Sequence, residues 1–189
     1  MAVTGEDPSF GDHHQASAVY DIDIDTLLAG IQSLKSGKDM AGIELAGAPE
    51  FLVGATVNSG LDGADLDREI DAMNRKIDAG ARFFITPPLF DVSAIEPFMN
   101  KIRTDGIYII PTVVLLKSLG MARYMARNMK NVYIPDERIK QIQKAPDKVR
   151  ECVRIAKDTA AAIKENGFPG TVISTIGWED KLYDIIHGI

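Results

Sequence analysis

The sequence predicts an α/β fold built on a parallel sheet, and three observations carry that prediction. Short apolar runs rich in β-branched and aromatic residues alternate with longer segments of helical period. Consecutive parallel strands need a crossover, and each run is followed by a segment that can supply a helix. The runs are continuously apolar rather than alternating, which fits strands buried on both faces. An open doubly wound sheet and an eight-stranded (β/α) barrel both satisfy this pattern.

Taken in order, "MAV" at residues 1–3 is the stub of a strand, followed by the polar loop "TGEDPSFGDHHQASA". Ile24, Leu27, Leu28, Ile31 and Leu34 then mark a helix, with Gly37 as its stop. "EFLVGATV" at 50–57 is the second strand. Leu66, Ile70, Met73 and Ile77 fall at spacings that make one apolar helix face, closed by "DAG". "RFFIT" is the third strand and residues 92–102 a helix; "YIIPTVVLL" is the fourth strand and residues 122–129 a helix. From Pro135 the chain is helical again, with a break at Pro146, because proline has no backbone N–H to donate. Val149, Val153, Ala156, Ala160 and Ile163 continue along one face to "ENGFPG", and "TVIST" is the fifth strand. Five strands, each followed by a helix, are expected in a single domain over residues 1–189.

With 46% hydrophobic and 25% charged residues the chain has enough apolar material for one sizeable core. Its formal charge of -6 argues against nonspecific binding to nucleic acid or to an anionic membrane, which would repel it at long range. The single cysteine, Cys152, cannot form an internal disulfide and reads as buried packing. No Cys/His spacing suggests a metal site, and His13 with His14 lacks a third ligand at suitable spacing. With neither a signal-peptide pattern nor an apolar span, the expected location is the cytoplasm.

Four stretches carry a resemblance to one family. They are "AVTGEDP" with "GDHHQASAVYDID", "SLKSGKDMAGIELAGAPEFLVGATVNSG", "REIDAMNRKIDAGARFFITPPLFD", and "IIPTVVLL" with the later "GFPGTVISTIGWED". In this order they resemble the methylenetetrahydrofolate reductase family, flavin enzymes built on a (β/α)8 barrel. The resemblance implies a barrel of the TIM type. It also implies a partial one, because Met1 aligns near the start of the family's fourth strand and a whole barrel typically takes about 250 residues. The implied reaction is reduction of 5,10-methylenetetrahydrofolate to 5-methyltetrahydrofolate, a one-carbon step that supplies methionine biosynthesis. It implies a flavin, FAD ahead of FMN, reduced by NADH, NADPH or another electron donor. The family's general-acid glutamate lies on its first strand and has no counterpart in this sequence. The competing expectation is a non-catalytic half-barrel that needs a second chain, or self-association, to cover its edges.

In a barrel the strand carboxyl ends line the active site. By resemblance, the loop after residues 1–3 places Thr4 and Gly5 against the flavin, with Glu6 as the aligned catalytic carboxylate and Asp7 as its rival. A carboxylate there would stabilise the cationic form of the folate. Tyr20 aligns with an aromatic position near the flavin; packing at a helix start explains it equally well. Asn58, at a strand end, either offers its amide to the cofactor or makes an N-S-G turn. Arg75 and Lys76 complement a helix dipole, and Asp71 to Arg75 has ion-pair spacing. In the family the matching basic pair reaches the phosphates of the flavin, and Lys76 is the expected contact. Thr86 is the expected substrate contact on its strand, followed by Pro87 where the family has a pterin-binding glutamine; proline offers no side-chain donor. Lys117, with Ser118 beside it, ends the fourth strand. There it either attracts the glutamate tail of a folate or the phosphates of a dinucleotide, or snorkels into water. Arg123 is surface or rim. Trp178, ahead of Glu179, reads as packing.

Overall fold

The computed structural model of the protein describes residues 1–5, 8, 11–13 and 15–189. Helix α1 (Ile24–Lys35) precedes a parallel sheet whose strands are β1 (Gly54–Thr56), β2 (Phe83–Pro88), β3 (Tyr108–Val114) and β4 (Val172–Ser174). Helix α2 (Gly63–Asp78) joins β1 to β2. A 3-10 turn (Val92–Ile95) and α3 (Glu96–Met99) join β2 to β3. Three helices, α4 (Leu119–Asn128), α5 (Asp136–Lys144) and α6 (Lys148–Glu165), separate β3 from β4, and α7 (Leu182–Ile186) follows. Among the described residues, no helix is long and apolar enough to cross a membrane.

The spatial order β1-β2-β3-β4 is the chain order. A doubly wound sheet reverses direction at a switch point and carries helices on both faces. Here every crossover advances the same way, so right-handed connections put the helices on one face. This is the winding of a TIM-type barrel.

The register explains the core. Ala55, Phe84 and Ile109 are aligned across β1, β2 and β3, and all three are buried. They meet Leu66 and Met73 of α2 and Phe98 of α3. A second cluster joins Val113 and Leu115 to Met125, Ile142, Cys152, Ile155 and Ile163 of the later helices. Cys152 is buried there as expected, and burial pushes its thiol pKa up to about 11. Each fully buried large side chain contributes about 1.5–3 kcal/mol.

Three sequence expectations need correction. Residues 1–3 form no strand: Ala2 is buried and its N–H donates to Gly54 O at 2.7 Å, a single bond along the edge of β1. The sheet therefore has four strands among the described residues. The helix expected over 92–102 is split, because Pro97 cannot donate to Ser93 O; the 3-10 turn ends there and α3 restarts with the proline in its first turn. Burial is also one-sided at β1 to β3. On the face away from the helices, Phe83, Ile85 and Ile110 are half-buried while Thr56 and Tyr108 are exposed.

Elsewhere local rules hold. Asp23 caps α1 by accepting from Thr26 N at 2.7 Å, and Gly37 follows with φ +79°. Ala145 is extended before Pro146, ending α5, and Asp147 caps α6 by accepting from Arg150 N at 3.0 Å.

Candidate functional site

The carboxyl ends of the strands carry two clusters. The first lies over β1 and β2, in a cleft of about 500 Å³ lined by Asn58, Glu69, Lys76, Thr86, Met129 and Asn131 among others. Lys76 leaves the last turn of α2 and runs back up the helix, so that its Nζ donates to Thr56 O at 2.9 Å. Glu69, two turns earlier on the same face, sits 4.0 Å from that ammonium and accepts from Asn58 N at 3.0 Å. The Asn58 amide oxygen accepts from Gly60 N at 3.3 Å, the turn that N-S-G suggested. The structure thus brings Asn58, Lys76 and Thr86 into one cleft. Arg75 goes elsewhere: its ion pair, at 3.8 Å, is with Asp25 of α1 rather than Asp71.

At Thr86 the sheet register slips. Ile85 pairs with Ile110 but Pro88 with Thr112, so β2 carries one extra residue, a bulge at Thr86 and Pro87. Two prolines in succession remove two donors from this stretch. Side-chain hydroxyls serve the carbonyls of the bulge: Thr112 Oγ1 donates to Thr86 O at 2.7 Å and Thr86 Oγ1 donates to Pro87 O at 2.8 Å. Thr86 is buried, and its hydroxyl proton is spent on the backbone, which leaves it only as an acceptor.

Behind the bulge is a smaller cavity of about 170 Å³, between Ser59, Gly60, Pro87 and the 130–133 segment. The Ser59 hydroxyl is buried with no protein partner. Gly60 is required by contact, since a Cβ there would lie 2.0 Å from Asn131 O.

The second cluster lies over β3 and β4. Ser118 caps α4, its hydroxyl accepting from Met121 N at 3.1 Å. Lys117, one residue earlier, is half-buried and holds its Nζ 5.5 Å from the Trp178 ring centre. The turn after β4 has two left-handed residues in succession, Ile176 (φ +50°) and Gly177 (φ +82°). A β-branched residue rarely adopts that conformation. It is held by Glu179, whose Oε1 accepts from both Thr175 Oγ1 and Gly177 N at 3.0 Å. Hydrogen bonds from its own N–H, from Thr175 and from Gly177, with Lys117 nearby, hold the Glu179 carboxyl below the ordinary glutamate range.

Thr4 and Gly5 are exposed, and a Cβ on Gly5 would meet open space. Glu6, Asp7 and His14 lie outside the described residues. His13 is exposed, and so is Tyr20, with φ +38°. Arg123 is a surface residue that donates to Gln143 Oε1 at 3.1 Å. Among the described residues no group of three His, Cys, Asp or Glu side chains could hold a metal ion.

Sequence reasoning missed Glu69, Asn131 and the bracing role of Glu179. Glu69 was findable, being seven residues before Lys76 on one helix face. Asn131 arrives from a distant connection and had no local signal. No curated protein matches the chain. The family model for methylenetetrahydrofolate reductase matches residues 1–189, the full sequence, and the chain belongs to that family.

Proposed function

We propose that the protein is a flavin-dependent oxidoreductase that reduces 5,10-methylenetetrahydrofolate to 5-methyltetrahydrofolate. The observation that carries this reading is the family match over residues 1–189. The donor set in the first cleft supports it. Lys76 supplies a cation and Asn58 and Asn131 supply amides in a space of about 500 Å³, chemistry that suits a phosphate-bearing cofactor chain. FAD is proposed ahead of FMN, with a nicotinamide or another donor reducing it.

A flavin, when bound, supplies the hydride. The protein's residues bind, orient and set charge around it. Lys76 holds phosphate while Glu69 keeps the ammonium aimed along the cleft. Glu6, with Asp7 beside it, is the proposed carboxylate that stabilises positive charge on the folate. Lys117 takes the folate's glutamate tail at the far end of the mouth. Pro87, in place of a side-chain donor, leaves the pterin to backbone groups and to the acceptor oxygen of Thr86.

Absorption spectroscopy with added FAD tests the cofactor. Stoichiometric flavin should bind, and Lys76→Met should weaken binding about tenfold or more, as for a hydrogen-bonded charge removed from phosphate. Equal flavin affinity in the variant would sink the assignment of Lys76. The Glu6→Gln, Asp7→Asn double variant should keep flavin and lose folate turnover; unchanged turnover removes the carboxylate from the mechanism.

A second reading has one observation of its own. The half-buried Phe83, Ile85 and Ile110 on the helix-free face favour a protein that covers this face by association with a second chain or with itself. Light scattering separates the two. A monomer that turns over folate supports the first reading, and an association that must form before flavin binds supports the second.

A further inference from the structure

Three features of the second cluster have no use in the reading above: the strained Ile176–Gly177 turn, the carboxylate of Glu179 and the Trp178 ring. They are joined by geometry. One oxygen of Glu179 takes hydrogen bonds from the buried Thr175 hydroxyl and from Gly177 N, both at 3.0 Å. Trp178 N donates to Thr175 O at 3.2 Å, closing the same turn from the other side. The Lys117 ammonium lies 3.6 Å from where a Cβ on Gly177 would stand and 5.5 Å from the Trp178 ring centre. The ammonium thus stands in van der Waals reach of the Gly177 turn, and relaxation of the turn would carry the ring away from it.

We propose that Glu179 is a positioning residue: by clamping Thr175 and Gly177 it holds the Trp178 ring beneath the Lys117 ammonium and fixes that cation at the strand ends for a carboxylate ligand. Backbone strain of this kind persists where surrounding contacts over-determine it. A lysine on a free four-carbon stem presents no fixed direction, whereas one held on an indole face does. Glu179 also sets a limit on the charge, since a carboxylate in the same turn balances the ammonium until an anion of the ligand arrives. Only the identity of the ligand, the glutamate tail of a folate, rests on the reading under "Proposed function".

The chain contains a single tryptophan, so its fluorescence reports this turn alone. The first measurement is the emission of the ligand-free protein and of Lys117→Met, Glu179→Gln and Thr175→Val, each checked for fold by circular dichroism. Lys117→Met should change the emission by removing the cation from the ring, and Glu179→Gln and Thr175→Val should move it in the same direction. Emission in both turn variants identical to the unsubstituted protein overturns the proposal, as does emission in Lys117→Met that does not change. Thr175→Val keeps the test open if the glutamine variant does not fold. The second measurement is titration with γ-linked triglutamate, followed by the same emission. Binding should weaken several-fold in Glu179→Gln and more in Lys117→Met; equal binding in Glu179→Gln overturns the positioning role. A protein that passes the first measurement and ignores triglutamate keeps Glu179 as the positioning residue and loses the folate assignment of Lys117.

Discussion

The two faces of the sheet are made from the same strands and have different fates. On the helix side Ala55, Phe84 and Ile109 lie in one row and are fully enclosed by α2 and α3. One residue away along each strand, Thr56, Ile85 and Ile110 form the next row and remain partly open, as does Phe83. Phe83 and Phe84 are chain neighbours with the same side chain, yet only Phe84 reaches 0% exposure. Strand alternation sends them to opposite faces, and what waits on each face decides the burial. An apolar run thus signals that a strand can be buried on both sides; it does not say what will cover the second.

The largest effect that tests this contrast is at Phe84. Phe84→Ala should cost about 3–5 kcal/mol, the usual range for a large aromatic removed from a closed core. Denaturant unfolding would measure it, and a cost under half that range would mean the helix side is not the main core. Phe83→Ala should cost only about 1 kcal/mol, roughly half the value for full burial. A cost near that of Phe84→Ala, growing with protein concentration, would show that the open face is covered by association. Thr112→Val should cost up to about 1 kcal/mol by removing the hydroxyl that serves Thr86 O at the bulge. Here a loss of affinity for folate without a matching loss of stability would place the bulge in substrate binding. The smallest effect belongs to the solvent side of α6, where Arg154 binds Glu151 and Asp158. Glu151→Gln should cost no more than about 0.5 kcal/mol, since Arg154 is about half exposed. The Arg154 hydrogen bond lowers the Glu151 pKa, so its contribution is present above the ordinary glutamate pKa and is lost as pH falls through the lowered one. Stability that is flat through that acid window in the unsubstituted protein, apart from losses shared with Glu151→Gln, would remove this pair from the account.

Much of the fold was legible because its signals are local. The period of Leu66, Ile70, Met73 and Ile77 gave α2, Pro146 gave the break between α5 and α6, and alternation of strands with helices gave parallel winding. The failures have local causes too. Residues 92–102 looked like one helix until the missing N–H of Pro97 is counted. The stub at 1–3 had strand character but only one hydrogen bond to make beside β1. For the candidate site, Asn58 and Lys76 were found as members of one strand-end cleft, while Arg75, identical in charge to Lys76 and adjacent to it, turned toward Asp25. About 100° of rotation around the helix separates them, and the neighbours on each side make the difference.

By itself the sequence determined the alternation of strand and helix, the order of these elements, helix ends such as Gly37 and Pro146, and the strand ends at which polar residues stand. These follow from backbone sterics, donor counts and periodicity within a few residues. Tertiary structure alone decided that β2 bulges at Thr86, that residues 130–133 close over Ser59 and Gly60, and that the Trp178 ring comes to lie beneath Lys117. Those contacts depend on strand register and on segments far apart in the chain, and no short-range preference encodes where a distant backbone will arrive.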